Sequence, residues 1–362
     1  MTTLPPLVLM MAGGTGGHVY PALAVAAELL ERGYRVEWVG TARGLESRVV
    51  PAAGMRLHQL AVRGVRGKGL VEKVIAIVSL AIASLQAIWL VLHRAPRLVV
   101  GMGGYVAGPA GLAARLLCKP LLIHEQNAVA GTTNRLLAPW ATRVVGGFAG
   151  AFTARVDVEV LGNPVRRELV EAAAAANYDY DGQRPLRILV VGGSLGAQAI
   201  NEVIPAVFAQ LGKGTIELWH QTGNTHIEHV LDSYDDEPGE HLRVAPYIED
   251  MHAAYGWADL VICRAGALTI AELAVMGRPA ILVPLPTAID DHQSANARAL
   301  THAGAALLVP QAQLSAESLA AQIETWRTQP DVLQSMARAA REAALPDAAA
   351  RVSDVCEAMI NG

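Results

Sequence analysis

The chain is poor in cysteine, and its charges nearly cancel. Three cysteines stand far apart among 362 residues, at positions 118, 263 and 356. An odd number without close spacing argues against a disulfide framework or a zinc site and favours a reducing compartment with buried free thiols. A net charge of −4 gives no sign of a nucleic-acid-binding surface. The N-terminus, MTTLPPLVLMM, lacks a basic region and a cleavage site, so no secretory signal is predicted.

Two common nucleotide-binding signatures are also missing. The dinucleotide fingerprint G-x-G-x-x-G fails because its sixth position, counted from Gly14, is Val19. No acidic residue closes the second predicted strand, which runs RVEWVGT into Arg43. The P-loop G-x-x-x-x-G-K-S/T is absent as well. A nicotinamide or flavin enzyme is therefore the weaker interpretation, and ATP hydrolysis has no support.

Short apolar runs alternate with Ala- and Leu-rich helical stretches along the whole chain. This alternation is typical of repeated βαβ units with parallel sheets, and a chain of this length that is 52% hydrophobic suggests two domains. The segment EAAAAANYDYDGQRP is small, polar and punctuated by Pro and Gly, and it separates two series of strands. We place the domain junction near it, after Pro164. The predicted strands are 7–12, 35–40, 97–101, 120–124, 143–146, 158–161, 186–191, 215–220, 259–263, 279–283 and 305–309.

The two series of strands open alike. PLVLMMAGGTGGH, from Pro6, and PLRILVVGGSLGA, from Pro185, superpose without a gap, so that each domain begins with a strand, a Gly-Gly-Thr/Ser-x-Gly turn and a helix. Glycines at such a turn let a ligand approach the backbone, and the unpaired amides of the following helix bind anions. The alternative is a turn that only helps to pack helix on strand. Because two such turns are in register, we predict two phosphate sites.

Further polar clusters follow other predicted strands. Ligands of open α/β sheets bind at the carboxyl ends of the strands, although any single cluster can be explained as a capped loop. The clusters are GMGGYVAGPAG (101–111), IHEQN (123–127), LGNPVRRE (161–168), VAPYIEDM (244–251), ICRAGALTIAELA (262–274) and DDHQSANA (290–297).

In this order, GGTGGH, GMGGY, HEQN, GNPVR, GGSxGA, CRAGALT with Glu272, and DHQxxNA resemble the MurG family, membrane-associated N-acetylglucosamine transferases of peptidoglycan synthesis. The resemblance spans residues 13–297. It implies a GT-B architecture, with two Rossmann-like domains whose parallel sheets face each other across a cleft. The first domain would cover 1–164, joined by a last helix at about 347–362, and the second 165–346. The implied reaction is inverting transfer of N-acetylglucosamine from UDP-N-acetylglucosamine to the 4-hydroxyl of undecaprenyl-pyrophosphoryl-N-acetylmuramyl-pentapeptide, which converts lipid I into lipid II.

The same resemblance assigns the donor site. Ser194 and Arg166 would meet the diphosphate, because a hydroxyl adds a hydrogen bond and a guanidinium binds phosphate bidentately. Ile248 would present its backbone to uracil, Glu272 would accept from the ribose hydroxyls, and Gln293 would contact the sugar. Leu195 and His292 depart from residues that are frequent in the family. The full donor set is Thr15, Gly16, Gly17, Asn127, Arg166, Ser194, Ile248, Ala267, Leu268, Thr269, Ile270, Ala271, Glu272 and Gln293.

The acceptor is implied to bind in the first domain. Gly103, Gly104 and Tyr105, with the turn at 15–17, would hold its pyrophosphate and sugar beside the donor. Inverting transfer needs a base for the attacking hydroxyl. His18 is the candidate, because the macrodipole at a helix N-terminus disfavours the imidazolium and leaves the ring able to accept a proton. Glu125 is the rival base, and a histidine that only caps the helix or binds pyrophosphate is the alternative.

We expect neither a cofactor nor a metal. Helix-terminal amides and Arg166 can stabilise the departing UDP in place of a cation. Asp290 and Asp291 resemble a metal-binding pair, but the side chains of adjacent residues diverge, so a solvated loop or cap is favoured.

The segment VIAIVSLAIASLQAIWLVL, residues 74–92, contains no charge and is long enough to span a membrane. A crossing would split one sheet across the bilayer. We therefore favour a helix packed on the sheet, whose remaining apolar residues, Ile75, Val78, Ile82 and Trp89, enter the headgroup region of an anionic membrane beside a basic cluster. A wholly buried helix is the alternative. The family implies a peripheral protein on the cytoplasmic face of the bacterial plasma (inner) membrane, with other cell-wall synthesis proteins as possible partners.

Two further functions remain open. One is a UDP-N-acetylglucosamine 2-epimerase or another glycolipid transferase on the same fold. The other is a membrane-bound nucleotide-sugar-binding scaffold without catalysis. Three glycine turns combined with an apolar and basic patch speak against a soluble epimerase. Release of UDP only in the presence of the lipid-linked acceptor would separate these functions.

Overall fold

The computed structural model describes residues 4–62, 70–153, 155–193, 196–212 and 214–362. It divides the chain into two compact units. Unit 1 consists of Met1–Arg166 and Pro346–Gly362, and unit 2 is Arg167–Leu345. Each unit contains one parallel sheet with helices packed against it. The predicted α/β class is confirmed.

Unit 1 is built from seven strands and their connecting helices. The strands are β1 (Leu7–Met11), β2 (Arg35–Gly40), β3 (Arg56–Gln59), β4 (Leu98–Gly101), β5 (Leu121–Glu125), β6 (Arg143–Gly146) and β7 (Glu159–Val160). The helices are α1 (Gly16–Glu31), α2 (Glu46–Ala52), α3 (Leu70–Arg94), α4 (Ala107–Leu116) and α5 (Thr132–Leu137). The sheet order is β3-β2-β1-β4-β5-β6-β7. The strands that carry the predicted site, β1, β4 and β5, are therefore neighbours.

The central strand of unit 1 is buried on both faces, which explains its unbroken apolar sequence LVLMM. Successive side chains of a strand point to opposite faces. Val8 and Met10 accordingly belong to the core that contains Val25 of α1, whereas Leu9 and Met11 belong to the core that contains Ala83 of α3.

Unit 2 repeats this plan with six strands. They are β8 (Leu186–Val191), β9 (Ile216–Gln221), β10 (Leu242–Ala245), β11 (Leu260–Cys263), β12 (Ala280–Leu282) and β13 (Ala306–Leu308), in the order β10-β9-β8-β11-β12-β13. The helices are α6 (Arg167–Ala175), α7 (Gln198–Leu211), α8 (Ile227–Asp232), α9 (Met251–Trp257), α10 (Ala267–Met276), α11 (His292–His302), α12 (Ala316–Arg327) and α13 (Pro330–Glu342). The core of this unit joins Ile188 of β8 to Ile204 of α7 and Ile323 of α12.

The last helix, α14 (Ala348–Asn361), belongs to unit 1 and packs on α1. Val352 and Cys356 are fully buried in the same core as the apolar face of α1. Arg32, directly after α1, donates hydrogen bonds to Asp354 and Glu357, both at 2.7 Å. Apolar contact and ion pairing therefore act together to hold the chain's end on the first sheet.

Every strand predicted from the sequence has an observed counterpart, but two strands, β3 and β10, were not predicted. Both are edge strands with partly exposed residues, so neither presents a long apolar run. The expectation of buried thiols is wrong for Cys118, which is exposed in the turn after α4, where the chain runs along the surface. Cys263 and Cys356 are buried, and burial raises the pKa of each thiol to about 12.

Candidate active site

Two glycine turns of unit 1 lie in direct contact at the carboxyl ends of β1 and β4. Gly104 has a φ of +82°, and a Cβ at this position would collide with the carbonyl oxygen of Gly13. A Cβ on Gly103 would lie 2.7 Å from Nδ1 of His18. Only glycine allows both the left-handed backbone and this close approach. The predicted acceptor residues Gly103 and Gly104 therefore shape the surroundings of the predicted base. Tyr105, the third of this set, is 40% exposed.

The N-terminus of α1 opens this site. Thr15 is the N-cap residue and is extended, but its side chain makes no capping hydrogen bond. The amides of His18 and Val19 both donate to the carbonyl of Thr15. Gly16 and Gly17 begin the helix, so their amides have no carbonyl partner within it. The Thr15 hydroxyl and these two amides are the groups on which the predicted anion site depends.

His18 has a partner that was not predicted from the sequence. Its Nδ1 lies 3.1 Å from Oε1 of Gln126, the residue after β5. With this oxygen as the acceptor, Nδ1 carries the hydrogen and Nε2 keeps a lone pair. Gln126 is 1% exposed, and its carbonyl accepts a hydrogen bond from Asn163. The HEQN motif contained this residue, but only its neighbours Glu125 and Asn127 were assigned roles.

Glu125 is the last residue of β5 and is 1% exposed. Its carboxylate accepts hydrogen bonds from the amide and side chain of Asn127, at 2.9 and 3.2 Å. The amide of Gly131 and the side chain of Asn134 donate to its other oxygen, at 3.0 and 2.9 Å. Four donors occupy this carboxylate, so it braces the loop after β5. With four donors, this carboxylate has no lone pair left over for the proton of a substrate hydroxyl.

Arg166 ends the first segment of unit 1. Its guanidinium lies over the ring of Tyr20, 5.2 Å from the ring centre. Tyr20 is on α1, two residues after His18. The cation predicted to meet a diphosphate is therefore placed by an aromatic side chain of the same helix that carries the predicted base.

The matching turn of unit 2 follows β8. The amide of Gly192 donates to the carbonyl of Gln221 in the neighbouring strand, and the amide of Gly196 donates to the carbonyl of Gly193. A Cβ on Gly196 would lie 2.5 Å from the carbonyl oxygen of Thr222, so a side chain is not tolerated there. Ser194, the residue predicted to bind phosphate, and Leu195 lie outside the described residues.

Glu272 lies in α10, which begins directly after β11. It is 6% exposed, and its Oε2 accepts a hydrogen bond from the hydroxyl of Tyr255 on α9, at 3.2 Å. Tyr255 was not predicted from the sequence, since it lies one turn past the motif VAPYIEDM. Ile248 of that motif is buried. The predicted stretch before Glu272 consists of Ala267, Leu268, Thr269, Ile270 and Ala271, and most of these side chains are buried. The polar groups that this stretch can offer to a ligand are therefore the backbone amides of the helix N-terminus.

Gln293, in the first turn of α11, uses its Oε1 to accept the amide hydrogen of Leu285, at 2.9 Å. Its side-chain nitrogen is left to donate to a ligand. Asp290 and Asp291 both adopt left-handed backbone conformations, with φ of +53° and +50°, and Asp291 accepts a hydrogen bond from Ser294. Within the described part of the chain, no group of three or more His, Cys, Asp or Glu side chains is arranged to hold a metal ion.

Helix α3 has two apolar faces. Ala83, Ala87 and Val91 are fully buried against the sheet of unit 1. The opposite stripe is exposed at three- and four-residue intervals: Val78 (53%), Ile82 (46%), Leu85 (68%), Trp89 (60%) and Leu92 (58%). A wholly buried helix is therefore wrong. The side chain of Ile75 lies outside the described residues, as do Arg63, Arg66 and Lys68.

Among the described helices, one segment, Ile77–Arg94 of α3, meets the length and hydropathy expected of a membrane span, with a mean hydropathy of 1.6. The neighbouring helical segments also carry exposed large apolar side chains: Leu116 of α4, Leu136 of α5 and Trp140, exposed by 60%, 66% and 51%. Arg115, Arg135 and Arg143 lie beside them in the sequence. In contrast to the sequence prediction, exposed apolar residues in unit 1 are thus not confined to α3.

Comparison with known proteins matches both units. The glycosyltransferase family 28 N-terminal domain model matches residues 8–145, and the C-terminal domain model matches 187–352. The UDP-N-acetylglucosamine–N-acetylmuramyl-(pentapeptide) pyrophosphoryl-undecaprenol N-acetylglucosamine transferase of Stutzerimonas stutzeri is 50% identical, over 98% of this chain and 99% of its own. The protein of the same name from Alkalilimnicola ehrlichii is 52% identical, over 98% of each chain.

Two solved structures are informative. The crystal structure of Acinetobacter baumannii MurG superposes with a TM-score of 0.79 at 42% identity and covers 98% of this chain and 99% of that one. A putative UDP-N-acetylglucosamine 2-epimerase from Listeria monocytogenes superposes with a TM-score of 0.72, at 16% identity, over 99% and 97% of the two chains. The second likeness shows the fold alone.

Proposed function

The chain belongs to glycosyltransferase family 28, among the peptidoglycan N-acetylglucosamine transferases that its motifs resemble, and on this premise we propose how its two units carry out the reaction. The enzyme transfers N-acetylglucosamine from UDP-N-acetylglucosamine to undecaprenyl-pyrophosphoryl-N-acetylmuramyl-pentapeptide. One observation carries this conclusion: half of the residues are identical, along 98% of the chain, to transferases of that activity. The GT-B architecture agrees with it.

Unit 2 binds the donor. The glycine turn after β8 and the N-terminus of α10 offer backbone amides to the diphosphate, and Glu272 accepts hydrogen bonds from the ribose hydroxyls. Tyr255 fixes the carboxylate from the side away from solvent, because it is itself 1% exposed. Gln293 donates to a hydroxyl of the sugar, since its oxygen is already used by Leu285.

Unit 1 binds the acceptor and supplies the base. The amides of Gly16 and Gly17 and the Thr15 hydroxyl receive the pyrophosphate. The 4-hydroxyl oxygen of the acceptor sugar forms a bond to C1 of N-acetylglucosamine with inversion, while the bond from C1 to the diphosphate oxygen breaks and UDP keeps its electron pair. The hydroxyl proton passes to Nε2 of His18. The hydrogen bond from Nδ1 to Gln126 keeps the ring in the tautomer that this step requires.

The exposed stripe of α3 brings the protein to its lipid-linked substrate. Its apolar residues reach the boundary between headgroups and acyl chains, and the cations beside Leu116 and Leu136 attract anionic headgroups. The buried face of α3 stays on the sheet, so the helix lies along the membrane surface. The enzyme is thereby a peripheral protein at the cytoplasmic face of the plasma membrane, where its nucleotide-sugar donor and polyprenyl acceptor meet.

The function is tested by measuring UDP release with each substrate omitted in turn. A transferase releases UDP only when both UDP-N-acetylglucosamine and the lipid-linked muramyl-pentapeptide are present, and the product retains the lipid pyrophosphate. An epimerase converts the nucleotide sugar without the lipid, and a binding scaffold binds UDP without turnover. Formation of N-acetylmannosamine derivatives, or binding without turnover, would refute the assignment.

A further inference from the structure

Glu46 is a buried acid that no role has yet explained. It begins α2, and it is fully buried (0% exposed). Its Oε2 accepts the amide hydrogen of Gly14, at 3.1 Å, although Gly14 is 32 residues away in the glycine turn after β1. Its Oε1 accepts the amide and hydroxyl hydrogens of Thr41, at 2.9 and 2.8 Å. A carboxylate is thus held between two separate strand-to-helix loops.

All three contacts are donors. The Thr41 hydroxyl accepts a hydrogen bond from the amide of Gly44, so its own hydrogen is directed to Glu46. The arrangement therefore fits an ionised carboxylate, which only accepts hydrogen bonds. Burying such a group is costly unless every partner is correctly placed. Its position between the loops implies that their relative geometry depends on it.

The surroundings of Glu46 are cleared of side chains. A Cβ on Gly40 would lie 2.5 Å from Cγ of Glu46, and one on Gly13 would lie 2.9 Å from Oε1. A Cβ on Gly44 would overlap the carboxylate. Three glycines, two in the loops and one at the end of β2, thus leave room for one acidic side chain. A contact that served only to fill space would not require all three.

We propose that Glu46 is a positioning residue that holds the glycine turn of unit 1 in the orientation needed to bind the acceptor's pyrophosphate. Gly14 has a φ of +95°, and it precedes Thr15 and the first amides of α1. The hydrogen bond to Glu46 directs the Gly14 amide into the protein. It thereby fixes the orientation of the peptide groups that follow, so that the amides of residues 15–17 face the substrate. The proposal rests on the proposed function, because it assumes that these amides receive the acceptor.

The isosteric variant Glu46→Gln tests this proposal. Its oxygen satisfies the two donors of Thr41, and its NH₂ group then faces the Gly14 amide, donor against donor. We expect the Gly14 amide to lose protection from hydrogen exchange. Because small misplacements of a binding group cost up to about 100-fold, kcat/KM for the lipid-linked acceptor should fall roughly 10- to 100-fold. The KM for UDP-N-acetylglucosamine and the affinity for UDP should be unchanged, since unit 2 is untouched.

Thr41→Val is the matched control, because it removes one hydrogen bond to Oε1 and the acceptor of the Gly44 amide, while the Thr41 amide still donates to Oε1 and the contact of Oε2 with Gly14 is kept. We expect it to keep both the protection of Gly14 and the acceptor kinetics. The proposal would be overturned if Glu46→Gln kept the wild-type kcat/KM for the acceptor. It would also be overturned if kcat/KM fell equally for both substrates, or equally in Glu46→Gln and Thr41→Val. Should Glu46→Gln fail to bind UDP, Glu46→Asp, which keeps the charge but withdraws it from Gly14, must show the same selective loss. Failure of the wild-type enzyme to release UDP with acceptor present would instead refute the proposed function.

Discussion

Removing the imidazole of His18 is the sharpest test of the proposed chemistry. His18 is in the first turn of α1, and its Nδ1 is held by Gln126, so its Nε2 is the one titratable nitrogen left to take the proton of the acceptor hydroxyl. His18→Ala removes this group without touching the donor site in unit 2. We expect a loss in kcat, with little change in the affinity for UDP.

The size of the loss follows from the role. A general base contributes roughly 10²–10⁴-fold, which corresponds to about 2.7–5.5 kcal/mol in the activation barrier. Gln126→Leu should act through the same ring. It removes a single hydrogen bond, worth about 1 kcal/mol, so we expect a loss of about fivefold in kcat. Because both changes act on one imidazole, Gln126→Leu should cost nothing further when His18 is already Ala.

The assay is continuous UDP release with both substrates saturating, for the wild type, the two single variants and the double variant. Binding of UDP, measured by calorimetry, shows that the donor site is intact. Turnover of His18→Ala within about tenfold of the wild type would remove His18 as the base. If the losses in kcat were additive in the double variant, Gln126 would act independently of the imidazole and would not serve to orient it.

Three other predictions concern separate parts of the molecule. Ile82→Glu should abolish flotation with anionic liposomes. The control Leu30→Glu, at a position of α1 exposed to a similar degree (41% against 46%), should float like the wild type. If the two variants float equally well, the exposed stripe of α3 does not bind the membrane. Tyr255→Phe removes a hydrogen bond to a charged group, so KM for UDP-N-acetylglucosamine should rise roughly tenfold at constant kcat, and an unchanged KM would contradict the ribose role. Burial raises the pKa of Glu37, but hydrogen bonds from Arg94 and His58 outweigh this effect and lower the pKa to about 2. The ionised Glu37 therefore contributes its full share to the free energy of unfolding above about pH 4.5. This contribution is lost as the pH falls towards 2. The free energy of unfolding, measured with denaturant at a series of pH values, should fall less steeply at acid pH for Glu37→Gln than for the wild type. The prediction is wrong if the two proteins show the same dependence on pH.

Two strands, β3 and β10, were not predicted from the sequence. Central strands such as β1 and β8 are buried along most of their length, so their apolar runs are conspicuous. The missed strands β3 and β10 each pair with a single neighbour and contain polar residues such as His58, which is partly exposed, and Arg243, which is exposed. Edge position alone does not explain the two omissions, because β7 and β13 are also edge strands and were predicted.

The α/β class, the paired glycine turns and the family can be predicted from the sequence, because periodic burial and a motif's spacing are local properties of the chain. The surroundings of each motif, in contrast, depend on how the chain folds. In the folded chain, four donors hydrogen-bond to the Glu125 carboxylate, and Gln126 hydrogen-bonds to His18, 108 residues away in sequence. The Glu46 carboxylate accepts a hydrogen bond from the Gly14 amide. These contacts arise because parallel strands bring the loops at their carboxyl ends to one edge of the sheet, where residues distant in sequence become neighbours.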